Sequence, residues 1–268
     1  MDHLTQLESE SIYIIREAYK KFDNMAILWS MGKDSTCLLW LVRKAFFGKI
    51  PFKVLHVDTT FKFPEMYEFR STYAKEWDFN LLLHTNQDAI AKGINYTNND
   101  PFTCCHELKT VALQQAVEKH KFNGLIVGIR RDEEGSRAKE RYFSPRNEES
   151  KWDYKDQPPE FWGQFNTSFK PGTHVRVHPL LHWTEVDIWR YIERENIPSC
   201  SLYFSQNGKR YRSLGCMPIT TPINSNATTV KQIIEELKAT KETERSGRKQ
   251  DTAKEYAMQK LRKEGYIQ

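Results

Sequence analysis

The sequence predicts an α/β protein: a doubly wound, mostly parallel sheet flanked by helices, with a C-terminal helical and irregular arm. Three observations carry this. Short apolar runs of strand length alternate with longer segments of helical periodicity through the first half of the chain. The first run passes through a polar, glycine-containing turn straight into a helix-like segment, the order of a βαβ unit. The chain, 268 residues with 39% hydrophobic and 28% charged, is long enough to bury a full core.

Leu4, Leu7, Ile12, Ile15 and Ala18 recur at helical spacing, so the first 22 residues form an amphipathic helix. MAILW at 25–29 is a strand, SMGKDS a turn, and TCLLWLVRKAFF has the apolar density of a buried helix. FKVLHV at 52–57 is a second strand, residues 81–84 a third, and GLIVG at 124–128 a fourth, with helices near 64–77 and 107–120. Beyond Gly128 come a charged stretch, IRRDEEGSRAKER, and a polar aromatic one, WDYKDQPPEFWGQF, a long ordered loop because tryptophan is a poor linker residue. A strand at 175–177 precedes TEVDIWRYIEREN, a helix capped at Thr184, and a last helix spans about 229–240 before a Lys/Arg/Glu-rich tail. Residues 1–225 are expected to form one α/β domain, with 226–268 as an arm packed on it.

Forty Lys+Arg against 35 Asp+Glu leave a charge of +5, which permits an anionic partner and demands none. Five cysteines, Cys37, Cys104, Cys105, Cys200 and Cys216, are an odd number with one adjacent pair, which fits reduced thiols rather than a disulfide framework. No apolar run approaches the roughly 18 residues of a membrane span and no targeting segment is visible, so a cytoplasmic protein with no membrane partner is expected.

The turn after the first strand carries the clearest chemistry. A strand-to-helix junction presents unpaired backbone N–H groups and the positive end of a helix dipole, and Gly32 lets a phosphate approach the backbone. Ser30 and Ser35 add hydroxyls, Lys33 a cation. Asp58, ending the second strand, is placed to hold ribose or magnesium. Arg130 and Arg131 follow the fourth strand at the sheet's carboxyl edge, where guanidinium groups grip phosphate oxygens; Glu133 and Glu134 read as solvated.

Ser-x-Gly-Lys-Asp-Ser resembles the pyrophosphate loop of the adenine nucleotide α-hydrolase superfamily, whose members split ATP between its α and β phosphates. Within it the chain is similar to the phosphoadenylylsulfate reductase-like branch. The resemblance to sulfate adenylyltransferase small subunits runs through LESESIYIIREA, SMGKDST, LHVDTTFKFPEMYEFR, GIRRDEEGSRAKER, RVHPLLHWTEVDIWRYI, LGCMPITTPINSNA and TERSGR. It implies an enzyme that binds ATP and Mg²⁺ through Ser30, Gly32, Lys33, Asp34, Ser35, Thr36, Asp58, Gly128, Arg130, Arg131 and Arg137. Arg245 and Arg248 would come from a mobile C-terminal arm.

Two departures shape the functional expectation. The segment before Leu214 is only SLYFSQNGKRYRS, where the sulfate-activating subunits carry a longer insertion, and Cys104-Cys105 precedes His-Glu-Leu-Lys-Thr where they have no cysteine pair. Adjacent cysteines ahead of a helix are expected to have lowered thiol pKa values and to accept sulfur as a persulfide. With Cys216 they also offer three ligands to an iron–sulfur cluster; the fourth, and the reductases' C-terminal cysteine, are missing.

The expected function is therefore an ATP pyrophosphatase of DNA phosphorothioation. It would adenylate a backbone phosphate, relay sulfur through Cys104 or Cys105, and work with a cysteine desulfurase and DNA in a complex, a homo-oligomer being a further expectation. The alternatives are the catalytic small subunit of sulfate adenylyltransferase, partnered by a GTPase subunit, and a nucleotide-binding regulatory subunit without turnover.

Overall fold

The computed structural model describes residues 2–155, 157, 159–160, 165, 169, 173–242, 244–245 and 263–264. Strands β1 (Met25–Leu28), β2 (Lys53–Val57), β3 (Leu81–His84), β4 (Gly124–Ile126) and β6 (His174–Val177) run parallel, and β5 (Phe143–Arg146) joins β6 antiparallel. Their order across the sheet is β3-β2-β1-β4-β6-β5. β1 sits between β2 and β4, with Ala26 opposite both Lys53 and Leu125 and every residue buried, as a central parallel strand requires. The chain leaves β1 toward one edge of the sheet and returns at β4 on the other side. The loops after these two strands therefore diverge and open a crevice at their carboxyl ends.

Helices α1 (His3–Lys21), α2 (Lys33–Ala45), α7 (Glu185–Glu195) and α8 (Val230–Ala239) pack in series, and Trp40 of α2 meets Trp77 at the end of α3 (Pro64–Glu76) with ring centroids 5.7 Å apart. α1 is capped by Asp2, which accepts from the Thr5 N–H at 2.9 Å, and buries Ile14, Ile15 and Ala18. α7 and α8 each begin with a capping box, at Thr184 and Thr229. Ile233, Ile234 and Leu237 of α8 join the main core, so this helix packs on the sheet domain.

Two regions differ from expectation. The helix expected from 107 begins earlier, at Pro101, as α5 (Pro101–Cys105), a π-helical stretch over His106–Val111 and α6 (Ala112–His120), with a separate short helix α4 (Gln87–Ala91) before it. β5 carries no apolar alternation because two of its three buried positions are polar: Arg146 pairs with Glu140 at 2.9 Å, and the Ser144 hydroxyl donates to the same carboxylate at 2.7 Å, while Phe143 joins the core. A small hairpin of β7 (Lys209–Arg210) and β8 (Ile223–Asn224) closes the segment before α8. No helix among the described residues is long and apolar enough to cross a membrane.

Burial, reinforced by Arg176 and Arg146, lowers the His174 pKa to about 3. The ring therefore stays neutral in the folded state while an unfolded histidine takes up a proton below about pH 6.5. Stability from this group is complete above that pH and is lost as the pH falls toward 3, by about 2 kcal/mol at pH 5. His174→Gln should flatten the decline in melting temperature between pH 7 and pH 5; an unchanged slope would assign the acid sensitivity elsewhere.

Candidate active site

The turn after β1 is held by its own side chains. The Ser35 hydroxyl accepts from the Ser30 N–H at 3.2 Å and donates to the Gly32 carbonyl at 3.1 Å; the Thr36 hydroxyl accepts from the Trp29 indole N–H at 3.1 Å. Met31 adopts the left-handed conformation at φ 60°, and Gly32, in extended backbone, is the N-cap of α2. The Lys33 N–H donates to the Tyr203 hydroxyl at 2.8 Å. The hydroxyls of Ser30 and Ser35, expected as phosphate donors, lie 3.1 Å apart within the turn.

Gly128 lies where β4 ends against the first turn of α2. A Cβ there would stand 3.2 Å from the backbone of Asp34 and Ser35, so this glycine sets how closely the turn meets the sheet.

Lys33 and Arg130 come together at this junction, 2% and 0% exposed. Asp34 joins them, accepting from Lys33 at 3.0 Å and from Arg130 Nε at 2.6 Å. Asp132 accepts from Arg130 Nη1 at 2.6 Å. Glu244, from beyond α8, pairs with both Lys33 and Arg130. Burial opposes the charge on Lys33, but Asp34 and Glu244 raise its pKa above the ordinary value. Burial likewise works against the Glu244 carboxylate, and Arg130 and Lys33 still hold it well below the usual range.

A cleft opens over this cluster. The carboxyl ends of β1 and β2 form an apolar part, including Leu28, Trp29, Leu55 and Val57, while Glu133, Arg137, Glu244 and Arg245 form a charged part. Arg245 pairs with Glu133 at 3.1 Å and Glu134 at 3.3 Å. These two glutamates, expected to be solvated, are largely buried counter-ions instead.

Several expected site residues lie elsewhere. Arg131 turns away from the cleft to His182 and the Glu140 carbonyl, and its backbone N–H donates to the Leu181 carbonyl at 3.1 Å. Asp58 is absent from the cleft wall; it accepts from Arg70 at 2.8 Å, Tyr67 at 2.9 Å and the Thr60 N–H at 2.8 Å, which fastens it to α3. Arg248 lies outside the described residues.

The cysteines are also corrected. Cys104 and Cys105 end α5 rather than preceding a helix N-terminus, and all five cysteines are buried. Burial, with Cys105 and Cys216 nearby, pushes the Cys104 thiol up to about 12, opposite to the lowered value expected of a sulfur acceptor. Cys104 packs with Ala89 and Leu108, whereas Cys105 packs with Cys216 and Ile219. No group of three or more His, Cys, Asp or Glu among the described residues is arranged to hold a metal ion, so the iron–sulfur ligand set does not fit. Cys37 is a core residue of α2. Residues that periodicity and motif did not single out are Glu244, Tyr203, His56 and Lys109, all on the cleft wall. Lys109, inside the Cys-Cys-His-Glu-Leu-Lys-Thr run, and Glu244, beside Arg245, stood next to features already in view.

A doubly wound sheet with a lysine-bearing glycine turn at its switch point is a nucleotide-binding α/β architecture. The chain belongs to the phosphoadenosine phosphosulfate reductase domain family, which matches residues 24–222. It is 43% identical to sulfate adenylyltransferase subunit 2 of Citrifermentans bemidjiense, over all of this chain and 99% of that protein. The Sulfurimonas denitrificans protein of the same name is also 43% identical, over all of this chain and 98% of its own. These matches spread over 297 aligned positions against 268 residues, so the relatives carry segments this chain lacks.

The fold is shared with a phosphoadenylyl-sulfate reductase from Candida auris (TM-score 0.56, 16% identity, 82% of this chain and 97% of that one). It is shared too with the FMN adenylyltransferase of Candida glabrata in complex with ATP (TM-score 0.57, 18% identity, 87% and 71%). The full-length relatives overturn the expectation of DNA phosphorothioation, and with it the cysteine desulfurase and DNA as partners.

Two predictions follow from the geometry. Gly128→Ala should displace the turn against α2 and weaken ATP binding at least tenfold by calorimetry, with little change in melting temperature. Cys104→Ser with Cys105→Ser should leave ATP turnover within about twofold while lowering stability by about 1–3 kcal/mol per buried hydroxyl in denaturant titration. Loss of turnover in a folded double variant would restore a chemical role for the thiols.

Proposed function

We propose that this chain is the catalytic subunit of a sulfate adenylyltransferase, converting ATP and sulfate to adenylylsulfate and pyrophosphate. The observation that carries the reading is the full-length identity of 42–43% to proteins named sulfate adenylyltransferase subunit 2. The subunit number in those names, together with the resemblance in the sequence, supports a GTPase subunit as partner.

The cleft suits the chemistry. The apolar ends of β1 and β2 would take the adenosine, and the N-terminus of α2, Lys33 and Arg130 the polyphosphate. Magnesium arrives on the phosphates of ATP, which fits a site whose carboxylate beside the turn, Asp34, is already engaged by Lys33 and Arg130. A sulfate oxygen bonds to the α phosphorus as the bond to the α–β bridging oxygen breaks, and pyrophosphate leaves with that electron pair. Sulfate is already an anion, so no general base and no protein nucleophile are required. Rate comes from alignment and from buried positive charge facing the leaving group, worth far more in a dry cleft than in water. Arg137 and Arg245 are assigned to outer phosphate oxygens and Lys109 to the attacking sulfate.

The test is sulfate-dependent exchange of labelled pyrophosphate into ATP, with a GTPase subunit present. Exchange that requires sulfate is expected; ATP cleavage indifferent to sulfate would overturn the assignment. Lys33→Ala should reduce exchange by about 10²–10³, the usual cost of removing one transition-state charge partner. Arg131→Ala, which faces away, should stay within about threefold.

A further inference from the structure

Among the described residues Arg130 has three carboxylate partners, and one differs in origin. Asp34 and Asp132 are sequence neighbours of the cations they serve, so they remain with Lys33 and Arg130 whatever occupies the cleft. Glu244 comes from 211 residues beyond Lys33, past the end of α8, and sets one carboxylate on both cations at once. It lies on the cleft wall with Arg245, which pairs with Glu133 and Glu134, so this short stretch docks through opposite charges on adjacent residues.

We propose that Glu244 is an internal counter-anion seated where the polyphosphate of ATP binds, and that ATP and pyrophosphate enter only by displacing it. The proposal rests on the reading that Lys33 and Arg130 hold the polyphosphate. Its physical basis is the cost of leaving two buried cations short of anionic charge. Lys33 and Arg130 release Glu244 only as another anion takes its place, so the exchange is coupled. A polyphosphate carries several charges and displaces a single carboxylate; a weakly held monoanion does not. After the chemical step the same competition runs in reverse, and the returning carboxylate helps pyrophosphate leave. Apparent affinity is the intrinsic affinity reduced by the fraction of molecules in which Glu244 has left.

The experiment compares inorganic pyrophosphate binding by calorimetry to the full-length wild type, Glu244→Gln, Glu244→Ala and Lys33→Ala, with near-ultraviolet circular dichroism to establish folding. Both Glu244 variants should bind pyrophosphate tenfold or more tightly than wild type, and Glu244→Gln should lower the KM for ATP in the same proportion. Unchanged or weaker binding by folded Glu244 variants would overturn the proposal, making Glu244 a positioning group for the cations. Lys33→Ala separates the two readings. If it binds pyrophosphate as well as wild type, the polyphosphate does not sit on Lys33 and the underlying assignment fails. If it loses binding while the Glu244 variants gain none, the assignment stands and the counter-anion proposal alone falls.

Discussion

The structure depends on holding two positive charges, Lys33 and Arg130, out of water at the point where the sheet changes direction. A buried cation is tolerated only with a partner in good geometry. Asp34 meets this for both, because the turn places it one residue after Lys33 and Gly128 lets the end of β4, which delivers Arg130, press against the first turn of α2. Much else serves this junction. Ser30, Ser35 and Thr36 close the turn, Tyr203 caps the Lys33 N–H, and the Glu185 N–H donates to Asp132 at 2.9 Å, tying α7 to the outer end of the network.

Because the charges are paired before any ligand arrives, they are already oriented. That preorganisation makes electrostatic catalysis effective: dipoles and charges fixed in a dry site need not rearrange as charge develops. It also explains why the polar residues of the turn face one another. A loop whose hydroxyls bind its own backbone holds its N–H groups in place for an incoming anion without relying on that anion for its shape.

The parallel strands and the turn were legible in the sequence because they follow from local rules: apolar runs of strand length, a glycine turn, helix caps at Thr184 and Thr229. β5 was not, since its burial depends on a Glu140–Arg146 pair and not on apolar alternation. The opposite orientations of Arg130 and Arg131 were hidden for another reason: a motif shows which residues are adjacent, whereas the contacts of the loop beyond β4, to Asp34 on one side and to His182 and Glu140 on the other, decide which one faces the cleft. Asp58 has the residue type and strand-end position of a ligand, but Arg70, twelve residues on, claims it. Glu244 lay within a motif already recognised and went unremarked because a carboxylate is not expected beside a turn read as a phosphate loop.

The cysteine pair illustrates how chemistry inferred from residue type depends on local geometry. A thiol is activated when a helix N-terminus or a cation stabilises its thiolate. Cys104 and Cys105 instead stand where α5 runs into π-helical backbone, among Leu108, Ala89, Ile219 and Cys216, where desolvation dominates. The same π-helical turn carries Lys109 to the cleft wall. Widening a helix by one residue per turn shifts the side chains that follow it around the axis, and here the shift separates the two kinds of residue: thiols go to the packed interior, the ammonium to the cleft. A segment that resembles a sulfur-transfer site in sequence thus becomes, in three dimensions, an apolar wedge that delivers one positive charge.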